Sequence, residues 1–230
     1  MKKLLVANYK MNGNKNFYQK VNKVVNKLKS EDTVVLCPPF VYMPFFKIKN
    51  KNIYLGSQDV ANVDNNKSTG QISAKMLKEF NVKFSIVGHS EKRTLGETDD
   101  IISEKVKIAQ EHGIVPIVCV GEKNKTSKFG VLVEQVKNAL SKAKKRDVVF
   151  AYEPVWAIGT GVQPTVSKID KAIKLIKETA KECGFDVLVL YGGSVNLSNF
   201  QEVKKSIADG FLMGGVSHNL DEFAQIVKGE

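Results

Sequence analysis

Short apolar runs alternate along this chain with longer stretches in which apolar residues recur every three or four positions. Residues 4–9, 33–37, 53–57, 84–87, 114–120, 148–151, 187–191 and 210–213 are brief, apolar and rich in β-branched side chains, the pattern of strands buried on both faces. Between them, residues 17–29, 100–112, 131–144, 165–183 and 220–228 carry the helical period, and 73–80 carries a shorter version of it. Strand and helix in strict alternation call for parallel pairing with right-handed crossovers. Eight such units in 230 residues predict an α/β fold of one domain, a closed (β/α)8 TIM barrel spanning residues 1–230. An open doubly wound sheet is the alternative, but no GxGxxG follows the first strand and no linker divides the chain.

In a barrel of this kind the chemistry belongs at the carboxyl ends of the strands. Those ends are polar here. Asn8 and Lys10 follow the first strand, His89, Ser90 and Glu91 the fourth, Glu153 the sixth, Gly192-Gly193-Ser194 the seventh and Gly214-Gly215 the eighth. Together they assemble a cation, an acid/base pair and an anion cradle. Glycine pairs after the last two strands suit a phosphate held by backbone N–H groups, so a phosphorylated substrate is expected. Ser194 adds a hydroxyl donor. Pro154 ends the sixth strand's extension, and Ile158-Gly159-Thr160-Gly161 then supplies the backbone freedom of a lid.

Composition narrows the picture further. Hydrophobic side chains make up 43% of the chain, enough for one large core. The net charge of +11, from 35 Lys+Arg against 24 Asp+Glu, admits either an anion funnel or a solvated lysine surface. The lysines of 20–29 and 168–177 lie opposite Val21, Val24, Val25 and Leu28, and opposite Ile169, Ile173 and Ile176, so the charge is mostly solvated helix. With no exposed aromatics among the basic residues, nucleic acid is not expected as a primary partner. No stretch has the length and apolarity of a membrane span and no signal peptide is expected, which predicts a cytoplasmic protein. Cys37, Cys119 and Cys183 are scattered and read as reduced thiols, and His89, His112 and His218 show no metal-ligand spacing, so no metal is expected.

NYKMN from Asn8, VGHSEKR from Val87, AYEPVWAIGTG from Ala151, YGGS from Tyr191 and MGG from Met213 occur in the order and spacing of the triosephosphate isomerase family, which the whole chain resembles. That family is a standard worked case of a carboxylate base and a neutral imidazole under a closing loop. The resemblance implies interconversion of dihydroxyacetone phosphate and glyceraldehyde 3-phosphate through an enediolate, in glycolysis and gluconeogenesis. It implies Glu153 as base and His89 as electrophile, neutral at the start of the short helix formed by Ser90-Glu91-Lys92-Arg93. Lys10 would be the fixed positive charge, with Asn8 donating nearby and Glu91 orienting Lys10. Gly159, Ser194, Gly214 and Gly215 would bind the substrate phosphate. No cofactor is implied, because the substrate carbonyl activates its own neighbouring C–H.

Ser68-Thr69-Gly70 resembles the family loop that reaches the neighbouring subunit's active site, so a homodimer is implied. Three departures stand out. Tyr9 replaces the usual Trp, and Val162-Gln163-Pro164 replaces the usual Lys and small residues at the second lid hinge, where Pro164 would stiffen the turn. The segment between Gly121 and Lys144 is shorter than usual. Two other readings would fit less of the chain: a different phosphate-binding barrel isomerase or lyase leaves Lys10, His89 and Glu153 unexplained, and a catalytically silent basic module leaves the whole site unexplained.

Overall fold

The computed structural model describes residues 2–65, 67–126, 129–144, 146–160 and 162–229. Its eight strands are β1 (Leu4–Asn8), β2 (Thr33–Cys37), β3 (Ile53–Ser57), β4 (Phe84–Val87), β5 (Val115–Val120), β6 (Val149–Tyr152), β7 (Leu188–Tyr191) and β8 (Gly210–Met213). Each pairs in parallel with its sequence neighbours, and β8 returns to β1 with Leu4 opposite Gly210, closing the barrel. The predicted (β/α)8 barrel is therefore what forms.

Alternation along the strands builds two concentric cores. Leu4, Val6, Val35, Cys37, Ile86, Ile117, Cys119, Val149, Ala151, Leu190 and Leu212 fill the barrel interior. Their strand neighbours, such as Leu5, Ala7, Val34 and Leu36, face outward and pack beneath the helices. Both Cys37 and Cys119 are thus packed inside the barrel, and Cys183 is partly buried.

The helices are α1 (Lys15–Val25), α2 (Ala74–Glu79), α3 (Ser90–Thr94), α4 (Asp99–Glu111), α5 (Gly130–Leu140), α6 (Val166–Glu182), α7 (Leu197–Val203) and α8 (Leu220–Lys228). In α6, Ile169, Ala172, Ile173 and Ile176 are buried against the barrel while Lys171, Lys174 and Lys181 face outward, and Thr165 caps the start by accepting the Lys168 N–H. Burial of each such isoleucine contributes about 1.5–3 kcal/mol.

Two local differences from the sequence reading have simple causes. The crossover from β2 to β3 is only a 3₁₀ turn, Phe40–Phe45, because Pro39 precedes it and Pro44 lies within it. Helix α7 escaped the periodicity reading because its seven residues bury too few side chains for a repeat. Its start is written instead in a reciprocal cap: Asn196 accepts the Asn199 N–H, and the Asn199 side chain accepts the Asn196 N–H. The strands shift by a residue at their ends, with β1 stopping at Asn8 rather than Tyr9 and β6 running to Tyr152.

Candidate active site

Just beyond β1 the chain makes a costly turn. Lys10 has φ +48°, a left-handed conformation that a side chain with a Cβ rarely adopts. Three hydrogen bonds impose it. Asn8 Oδ1 accepts the Lys10 N–H at 3.0 Å, and Gln58 Nε2 donates both to the Lys10 carbonyl at 2.8 Å and to the Cys37 carbonyl at 2.9 Å. The ammonium is then fixed by Glu91 Oε1, 2.6 Å from Lys10 Nζ.

His89 caps α3, and its Nδ1 accepts the Glu91 N–H at 3.2 Å. That bond needs an unprotonated Nδ1, so the ring proton belongs on Nε2, which points at Glu153 Oε1 from 3.2 Å. Glu153 lies one residue past β6 and is almost fully buried, 3% exposed, with its other oxygen accepting the Ser90 N–H at 3.4 Å. Its backbone N–H is tied to the Val120 carbonyl at 2.8 Å.

Two glycines make room for this residue, one for its backbone and one for its side chain. A Cβ on Gly121 would stand 1.7 Å from the Glu153 carbonyl oxygen, and one on Gly192 would stand 2.8 Å from Glu153 Cγ. Cys119 lies beside it as well, its thiol pKa pushed well up by burial and then by the Glu153 charge.

The groups around His89 pull its pKa in opposite directions. Burial works to lower its pKa, but the charge and hydrogen bond of Glu153 and the charge of Glu91 outweigh burial and Lys10, leaving it above the ordinary value. Glu91 moves the other way. Burial pushes its pKa up, yet the Lys10 hydrogen bond, with the charges of His89 and Lys10, brings it below the usual carboxylate value.

These groups open onto one cavity of about 470 Å³. Asn8, Lys10, His89 and Glu153 line one side, and Gly159, Ser194, Gly214 and Gly215 are among the residues that line the rest. All the substrate-binding and catalytic residues expected from sequence therefore meet on one wall or another, and Glu91 stands behind Lys10. The loop over the mouth begins with a 3₁₀ turn, Val155–Ala157, and carries Gly159 at φ +72°. Gly161, the end of the expected lid, lies outside the described residues. The Ser194 hydroxyl makes a long contact, 3.5 Å, with the Ala157 carbonyl at the base of that loop.

Sequence reading missed Gln58, Glu122, Asn219 and Glu222. Gln58 immediately follows β3 and could have been found by the same strand-end rule that gave Asn8 and Glu153. Glu122 sits beyond the end of β5, fully buried, where it accepts from Tyr152 Oη at 3.0 Å and from Trp156 Nε1 at 2.9 Å. Lys168 Nζ lies 3.6 Å away and stacks over the Trp156 ring at 4.5 Å, so the turn that follows β6 is tied to a buried carboxylate. Asn219 and Glu222, at the start of α8, complete the cavity lining, with nothing in their spacing to announce it. Among the described residues no group of three or more His, Cys, Asp or Glu side chains is placed to hold a metal, and no helix is long and apolar enough to cross a membrane.

Comparison with known proteins agrees with this geometry. A family model described as triosephosphate isomerase matches residues 3–230. A triosephosphate isomerase of Thermoanaerobacter sp. (strain X514) is 41% identical over 224 residues, covering 90% of each chain. That of Clostridium tetani is 37% identical over 98% of this chain and 96% of its own, and that of Neurospora crassa is 37% identical over 96% of this chain and 95% of its own. A barrel with this site, matched along nearly its whole length, belongs to the triosephosphate isomerase family.

Proposed function

We propose that this chain interconverts dihydroxyacetone phosphate and D-glyceraldehyde 3-phosphate, with Glu153 moving a proton between the two carbons through an enediolate. The observation that carries the reading is the meeting of Glu153, His89 and Lys10 on one cavity that Gly159, Ser194, Gly214 and Gly215 also line. The catalytic unit would be the whole chain, residues 1–230, acting as a single barrel domain in the cytoplasm, in glycolysis and gluconeogenesis.

The resting geometry suggests how the parts would act. Glu153 is engaged by His89 Nε2 and the Ser90 N–H. Substrate would draw it off, and His89 would then lose the main influence that raises its pKa. Burial and Lys10 remain, and both favour the neutral ring. A neutral His89 with its proton on Nε2 can donate to the substrate oxygens as charge develops there. Lys10 would face both that charge and the phosphate, with Asn8 donating beside it. The phosphate would rest on Gly159, Ser194, Gly214 and Gly215. The chemistry calls for no cofactor, since the carbonyl acidifies the adjacent C–H and His89 with Lys10 stabilises the oxyanion. Closure of Ile158 and Gly159 over the enediolate would exclude water and disfavour loss of phosphate.

A homodimer is part of the proposal. Met11 and Leu95 are 98% and 83% exposed, and Val41 and Met76 are exposed as well, apolar side chains that a second copy would cover. The loop carrying Ser68, Thr69 and Gly70 would reach toward the partner's site.

An assay coupling either triose phosphate to a dehydrogenase tests the activity. Glu153→Gln should lower kcat by at least about 10²-fold with a smaller change in KM. A near-parent rate would remove Glu153 from its role.

A further inference from the structure

Lys10 is held at two points that come from different parts of the chain. Gln58, after β3, takes its backbone carbonyl, and Glu91, in α3, takes its ammonium. The residues next in sequence to these two are joined to each other. Asp59 Oδ2 lies 2.9 Å from Lys92 Nζ, so an ion pair spans from the Gln58 grip to the Glu91 grip. We infer that the Asp59–Lys92 pair is a brace that sets the spacing of Gln58 and Glu91 and thereby positions Lys10 in the cavity. The inference rests on the proposed isomerase reading for its kinetic consequence and on geometry alone for its structural one.

Asp59 is well suited to anchor such a brace. Its other oxygen accepts the Val60 N–H at 2.9 Å and meets Lys105 Nζ at 2.5 Å. Lys105 is itself buried in α4 and also contacts Glu97, so Asp59 is fastened to the body of the barrel. Lys92 is different: 43% of its side chain is exposed and Asp59 is its ion-pair partner, which leaves it free to serve as the link. The hydrogen bond that the Lys92 ammonium donates to Asp59 holds its pKa above the usual value against the pull of burial.

The brace has something to hold. The left-handed backbone of Lys10 persists only while its surroundings over-determine it. Gln58 and Glu91 sit on separate strand-end segments, and a small drift between them would be felt at Lys10 as a change in where the ammonium points. As a positioning pair, Asp59 and Lys92 touch no substrate.

Lys92→Met is the informative variant because the side chain is partly exposed and the barrel should fold without it. The expected result is a KM for glyceraldehyde 3-phosphate raised about two- to fivefold, the fold-change of a partly exposed ion pair, with kcat changed less. Asp59→Asn, which also takes a partner from Lys105, should raise KM at least as much, the double variant should be no worse than the more severe single one, and Lys92→Arg, which still reaches Asp59, should recover most of the loss. Unchanged KM in an active Lys92→Met protein, or effects of the two substitutions that simply add, would overturn the brace. A crystal structure of Lys92→Met decides the matter independently of activity. Lys10 Nζ displaced from Glu91 supports the inference, and Lys10, Gln58 and Glu91 superposing on the parent refute it. A parent enzyme inactive on both triose phosphates would instead refute the isomerase reading, leaving the structural result to judge the brace.

Discussion

Gly192→Ala isolates the placement of the Glu153 carboxylate from its chemistry. An alanine Cβ at position 192 would stand 2.8 Å from Glu153 Cγ and 3.5 Å from its Oε1. Carbon atoms in contact prefer about 3.5–4.0 Å, so the Glu153 side chain must move by roughly 1 Å. It has somewhere to go, since the cavity lies on its open side, and the Gly192 N–H can keep its bond to the Tyr152 carbonyl. The fold should therefore survive with little change in Tm. The base, however, would be displaced by a distance that typically lowers the rate about 10²-fold when reacting groups must align. The coupled triose phosphate assay should show kcat down by about 10- to 100-fold, with KM changed by less. Gly130→Ala is the matched control: it lies at the start of α5, its Cβ would meet nothing within 4 Å, and it should gain about 0.5–1 kcal/mol at unchanged rate. A Gly192→Ala enzyme within twofold of the parent kcat would refute the reasoning that this glycine exists to seat Glu153.

Two further outcomes follow from groups around the site. Because the pKa of Glu91 is lower in the folded protein than its unfolded value of 4.5, its contribution to stability is present above pH 4.5 and disappears as the pH falls through the lowered value. Denaturation curves for the parent and for Glu91→Gln should therefore converge as the pH drops below 4.5, and a gap that stays constant through acid would contradict the Lys10–Glu91 pairing. Sedimentation at micromolar concentration should give a dimer, and Leu95→Glu should shift it toward monomer; a parent that sediments only as monomer removes the proposed assembly.

Much of this site could be read from the order of residue types because a parallel barrel converts sequence position into place. Asn8, Lys10, His89, Glu153, Ser194 and the glycine pair at 214 and 215 each lie at or just past the end of a strand, and closing the barrel brings every strand end to one face. What stayed hidden depends on side-chain reach across that face. Gln58 looks like any polar loop residue until its amide is seen to bridge the Lys10 and Cys37 carbonyls. The buried Glu122 gives no periodic signal, and its partners Tyr152 and Trp156 come from thirty residues later. The raised pKa of His89 was out of reach for a similar reason. It depends on the rotamer that sets Glu153 against His89, which a strand-and-helix pattern does not encode. The short α7 was obscured by length, since seven residues bury too little to set a period.

Lys10 also says something about how this protein would respond to selection. Its backbone angle of +48° is one that glycine or asparagine adopts with less strain, and holding lysine there costs of order 1–3 kcal/mol. Pressure for heat resistance alone would thus favour replacing the very residue that supplies the cavity's positive charge. Any stabilised descendant that keeps its activity must find its gains elsewhere, in the helices and loops away from the strand ends, and position 10 becomes a marker that separates selection for function from selection for folding.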